Sequence, residues 1–161
     1  MRPKLEIELV PSTCFFTNLQ SILDNADWDT LRKKILKNAD YKCEICGEKG
    51  EELHEVFEYE EIYADDIPEP MRIQKLSHCQ KICFLCHEAK HFGIAQVKGN
   101  GERAKETLMR VNGWDDKQTE KYVREKFSEW HKRSRYKWIL DIKKMSDYKI
   151  DMTKYIDKLK P

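Results

Sequence analysis

The chain has 161 residues, 40% hydrophobic and 37% charged, with a formal net charge of +1. That suits a single domain, residues 1–161, with a modest core and a crowded charged surface, where a bound metal adds most to stability. No apolar run nears the roughly 20 residues needed to cross a bilayer, and Met1-Arg2-Pro3-Lys4 opens no signal-peptide core, so the expectation is a cytoplasmic protein with no membrane partner.

In chain order, Leu5, Ile7 and Leu9 alternate with Lys4, Glu6 and Glu8 as far as Pro11, the period-2 pattern of a half-buried strand. Phe15, Phe16 and Leu19 form a packed connector. Asp27, or Asp24 if the helix begins earlier, caps a helix with Trp28, Leu31, Ile35 and Leu36 on one face and Arg32, Lys33, Lys34 and Lys37 on the other. Residues 53–59 and 71–76 read as short strands around an exposed acidic loop, 60–70, that carries Pro68 and Pro70. A short helix over 84–92 ends at Gly93. Helices follow over 102–111, stopped by Asn112-Gly113, and over 116–134, capped by Asp115. Trp138, Leu140 and Ile142 alternate as a strand that could pair with the N-terminal one, and 143–161 reads as an amphipathic helical tail. The fold class is α+β: a mainly helical domain with a small terminal strand pair.

Cys43-Glu-Ile-Cys46-Gly and Cys83-Phe-Leu-Cys86 each set two thiolates on one tight turn. Two such turns facing each other give the four-sulfur tetrahedral shell that zinc favours. The 36 residues between the pairs are enough for a hairpin of their own. Cys79, four residues before Cys83, could substitute as a ligand but is more simply a small buried side chain, and Cys14 a packed thiol. A second constellation adjoins the first. His87 and His91, four residues apart, share one helix face, and His54 sits on the first hairpin strand beside Glu55. Two imidazoles one turn apart, facing a strand imidazole and a carboxylate, could hold a catalytic divalent ion.

The run Cys43-x2-Cys46, then His54-Glu55-Val56, then Cys83-x2-Cys86-His87-x3-His91 resembles the zinc-knuckle HNH endonucleases of the ββα-metal fold, as do Trp28-Asp-x-Leu-Arg32 and Tyr41-Lys-Cys43 before it. The resemblance covers about residues 27–92, with 93–142 as a helical extension and 143–161 as the tail. It implies metal-dependent hydrolysis of phosphodiester bonds in nucleic acid, DNA favoured, in which an imidazole base activates water and a cation stabilises developing charge. Laid on this chain, it puts His54 in the ligand position, Glu55 in the base position and His87 in the second ligand position, with His91 as an additional ligand. The cation would be Mg2+, Mn2+, Ni2+ or Zn2+, distinct from the structural zinc.

Two departures stand out. Glu55 occupies the place of the base imidazole, and His78 the place of the Asn that holds the base. In the other register His54 is the base, and Leu53 then falls where a ligand belongs. The sequence therefore also admits a zinc module that has lost catalysis and binds nucleic acid or protein.

Charge is unevenly spread. Residues 48–69 hold ten acidic groups against Lys49, and residues 121–161 hold thirteen Lys and Arg against six acidic groups. Lys132, Arg133, Arg135 and Lys137, set among His131, Tyr136 and Trp138, suit phosphate contact with base stacking. The acidic region 48–69 offers a surface to a basic protein partner, and the tail a seam for a homodimer.

Overall fold

A long antiparallel hairpin organises the chain: β1 (Glu52–Ile62) and β2 (Met71–Ile82) pair along their whole length, Glu52 opposite Ile82 and Ile62 opposite Met71. The computed structural model describes residues 2–15, 18–38 and 40–159. Both strands are longer than the expected 53–59 and 71–76, and the exposed acidic loop shrinks to the residues between Ile62 and Met71. A register shift between Val56 and Phe57 leaves Ser77 as an extra residue on β2, a bulge that re-aims the strand beyond it.

Strand alternation divides the core into two clusters. One face of the hairpin sends Leu53, Phe57, Leu76 and Cys79 against Leu31 and Ile35 of α2 (Asn25–Asn38) and against Leu19 and Ile22 of α1 (Leu19–Ile22). Ile82 belongs to the opposite cluster, with Leu5, Ile7, Ala89, Phe92, Ala104 and Leu108. That second cluster is built from α3 (Phe84–Lys90), α4 (Phe92–Val97) and α5 (Gly101–Asn112), with Tyr122 and Phe127 of α6 (Asp116–Arg133) packed against it.

The local signals account for most helix ends. Asp24, rather than Asp27, caps α2, its carboxylate accepting from the Asp27 N–H at 2.8 Å. Asp115 and Gln118 form a reciprocal capping box at the start of α6. Gly113 closes α5 in the left-handed region at φ 68°. Gly93 does not end a helix but lies inside α4, where a Cβ would stand 3.4 Å from the Leu9 side chain.

Two expectations at the termini are corrected. The N-terminal alternation does bury Leu5 and Ile7, but this segment is no strand and does not pair with residues 138–142. Its backbone groups go to side chains instead. The Asn112 amide accepts from Leu5 N–H and donates to Leu5 C=O, each at 2.9 Å, and the Tyr122 hydroxyl accepts from Ile7 N–H at 3.1 Å. A side-chain amide offers one donor and one acceptor just as a strand neighbour does. The strand at the other end, β3 (Ile139–Asp141), pairs parallel to β2 through Ile73–Lys75, giving the order β1-β2-β3.

The tail is not one amphipathic helix. It forms two 3-10 turns, Lys143–Tyr148 and Met152–Lys158, separated by Lys149 in the left-handed region at φ 59°. Met145, Ile150 and Tyr155 still reach the core. Phe16 of the expected connector and residues 160–161 of the tail lie outside the described residues.

Candidate metal centres

The first centre follows from the two knuckles. Cys43, Cys46, Cys83 and Cys86 place their sulfurs all within 4.8 Å of one another, with Cys46 and Cys83 at 3.7 Å. The first turn is closed by Gly47 N–H donating to Cys43 C=O at 2.9 Å, with Gly47 at φ 81°. Gly50 lets this turn lie on the end of β2, since a Cβ there would come within 3.0 Å of the Cys43 nitrogen and the Ile82 carbonyl carbon. On the second turn Cys83 caps α3, accepting from Cys86 N–H at 3.5 Å.

Burial opposes ionisation of Cys43, but N–H groups of Cys46, Cys83 and Ile45 outweigh it and bring that thiol down to about 7. Burial raises the Cys46 and Cys86 thiols. Four convergent sulfurs aided by backbone donors are a donor set that fits a structural zinc ion. Cys79 is not part of this group. It lies in the α2-side cluster, and burial pushes its thiol up to about 12. Cys14 is buried as expected.

The second centre lies beside the first on the same helix. His54 of β1 and His87 of α3 have ring centroids 5.3 Å apart, His54 and His91 5.1 Å, and His87 and His91 4.8 Å. One ring nitrogen from each lies within 4.8 Å of the others. His54 is 2% exposed.

Carboxylates back two of the three rings. Glu8 meets His54 Nε2 at 2.6 Å, and Glu52 meets His87 Nδ1. Burial lowers the His54 imidazole against the pull of Glu8, and burial together with His54 and His87 takes His91 down to about 3. Burial works against Glu8 as well, but His54 and Lys90 outweigh it and bring the carboxyl to about 2. Imidazoles with carboxylate-held outer nitrogens are the arrangement found around bound transition-metal ions.

The remaining expected site residues fall elsewhere. Glu55 points to the opposite face of β1, where its carboxylate accepts from Leu19 N–H at 2.6 Å and burial raises its pKa. It is half-buried and faces away from His54, because successive strand residues face opposite ways. His78 shares the His54 face, paired opposite Val56, but stays exposed against Ser77 and outside the three-imidazole group. Both line one open groove of about 1270 Å³, together with His54, His87 and His91.

Of the four expected nucleic-acid contacts, Arg133 lines that groove, its guanidinium 4.6 Å from the Tyr59 ring centroid. Lys132, Arg135 and Lys137 are exposed around the end of α6 and the turn after it. Trp138 packs edge-on against Tyr59, with centroids 5.1 Å apart.

Comparison of the chain with protein-family models, with curated proteins and with solved structures gives no match. The site therefore rests on its own geometry. Sequence reasoning overlooked Glu52 and Glu8. Glu52 carried a usable signal, since it lies two residues before His54 and so on the same strand face. Glu8 carried none, because its alternation with Ile7 and Leu9 reads as a solvated edge. Among the described residues no helix is long and apolar enough to cross a membrane.

Proposed function

We propose that this chain is a divergent HNH-like endonuclease that hydrolyses phosphodiester bonds in nucleic acid, DNA favoured, with a divalent cation. The observation that carries this reading is the convergence of His54, His87 and His91 on the lining of an open groove, beside a cluster of four cysteines. His54, His87 and His91 would hold the cation; when bound, it supplies charge neutralisation at the phosphoryl oxygens and acidifies a water. Glu52 fixes the orientation of His87, and burial of His54 and His91 keeps both imidazoles neutral, the state that ligation needs. Arg133, stacked on Tyr59, and Lys98 put cationic groups on the groove wall for flanking phosphates.

A second reading, a zinc module that binds without cutting, draws support from Glu55. The residue in the base position of the resemblance faces Leu19 and away from the imidazoles. One assay separates the two. Supercoiled plasmid is incubated with the chain and magnesium, manganese, nickel or zinc, alongside His87→Ala. The endonuclease reading expects nicking with at least one of these ions and a loss of 100-fold or more in the variant, the scale of a lost catalytic group. Absence of nicking with all four, or nicking unchanged in the variant, contradicts it.

A further inference from the structure

The N-terminal segment lies outside the knuckle-and-hairpin module, yet it delivers one carboxylate into the second centre. Glu8 Oε2 is 2.6 Å from His54 Nε2, across 46 residues of chain. Its other oxygen, Oε1, is 2.5 Å from Lys90 Nζ, and Lys90 is itself 4% exposed. The Glu8 backbone N–H donates to Lys90 C=O at 2.9 Å. Residue 8 is thus tied to α3 at both backbone and side chain, one residue before His91. Ile7, bound to the Tyr122 hydroxyl, fixes the same segment to α6.

A carboxylate only accepts hydrogen bonds, so the nitrogen facing Glu8 must carry the proton. In the neutral ring the lone pair then sits on Nδ1. That atom is buried and has no hydrogen-bond partner among the described residues, an unfavourable state that a ligand in the cluster would relieve. At His87 the arrangement is reversed: Glu52 faces Nδ1, which leaves the lone pair on Nε2. The two carboxylates, from different parts of the chain, thus face opposite nitrogens of the two rings.

We propose that Glu8 is the positioning residue of the second centre, holding His54 as its Nε2–H tautomer so that Nδ1 is the atom presented to the cation. This rests on reading the three imidazoles as a cation site. It makes the N-terminal segment a functional part of a centre whose other members lie between residues 52 and 91. It also gives an acidic side chain the orienting role that the sequence resemblance assigns to position 78.

The test uses the full chain with one equivalent of zinc, enough for the four-sulfur centre, so that the imidazoles are unligated. Long-range 1H–15N correlation spectra at neutral pH report the tautomer of each imidazole, with His54 assigned through His54→Gln. Wild type is expected to carry the His54 proton on Nε2, and Glu8→Gln to retain it, since the amide oxygen also accepts. Glu8→Ala is expected to mix the tautomers. A proton on Nδ1 in wild type overturns the proposal without any variant, as does an unmixed Nε2–H form in folded Glu8→Ala.

Cobalt(II) titration gives a second readout. Thiolate-to-cobalt absorption reports the four-sulfur centre and so the fold, while the weaker ligand-field bands report the imidazole centre. Glu8→Ala should weaken imidazole-centre affinity by 10–100-fold, as loss of such an outer carboxylate does, with the thiolate bands unchanged and the affinity largely restored in Glu8→Gln. Equal affinity in wild type and Glu8→Ala overturns the proposal. If both readouts come out as expected and nucleic acid is not cleaved, the nuclease reading falls and the role of Glu8 stands. If cleavage occurs and Glu8→Ala keeps the wild-type tautomer, the reverse holds.

Discussion

Gly50 shows how a residue without a side chain governs the first cysteine turn. A Cβ there would stand 3.0 Å from backbone atoms of Cys43 and Ile82, and these cannot turn aside as a flexible side chain would. Gly50→Ala should therefore push the first knuckle away from the end of β2. A cost of about 1–3 kcal/mol is expected, in the range of overpacking substitutions, with weakened zinc retention. Paired denaturation and zinc-release measurements check both, and wild-type values for the two would show that the close approach is not a constraint.

Glu55 and Glu8 teach the opposite lesson at the same scale. Adjacency in sequence put Glu55 with His54, whereas strand alternation sends it to Leu19. Distance in sequence hid Glu8, which touches His54 because the first segment is threaded against α3. The cysteine pairs and the His87–His91 pair were legible because their spacing alone brings them together. A contact made by two segments 46 residues apart leaves no such trace.

Among the elements, those with local stop signals were the ones the sequence made readable. Asn112-Gly113 and Asp115 bound α5 and α6 to within a residue or two of expectation. The N-terminal strand failed because period-2 burial specifies extended backbone but not its partner, and here Asn112 and Tyr122 fill the partner's place. The tail failed because a rough helical spacing of apolar residues also fits two 3-10 turns broken at Lys149.

The cap of α2 carries a prediction at this scale. The Asp27 N–H, and after it Lys154, hold the Asp24 carboxyl below its ordinary value of 3.8. A carboxyl lowered by folding contributes stability that is fully present above the unfolded value and is lost as pH falls through the folded one. Asp24→Asn keeps a capping acceptor without the titration. The wild-type advantage over this variant should then hold at neutral pH, begin to fall near pH 3.8 and be lost at more acidic pH, as the lowered folded value is passed, read from urea midpoints across a pH series. An advantage that persists or grows in acid would contradict this assignment of the cap.

At the scale of the whole molecule, the hairpin is a partition. One face completes an apolar core with α1, α2 and the tail, and the other meets the knuckles, α3 and the N-terminal segment. The cysteine cluster lies at the open end of the hairpin, next to His54 and Glu52, so the same turns that could hold a metal also set where β1 faces α3. Two donor sets, one of sulfur and one of nitrogen, thereby share the seven-residue helix α3.

That pairing of centres is most directly tested by anomalous diffraction from crystals of the full chain soaked in zinc. Two peaks per chain are expected, one among the sulfurs of Cys43, Cys46, Cys83 and Cys86 and one bonded to His54 Nδ1, His87 Nε2 and His91. A single peak at the sulfurs, with the three imidazoles packed against one another at saturating zinc, would contradict it.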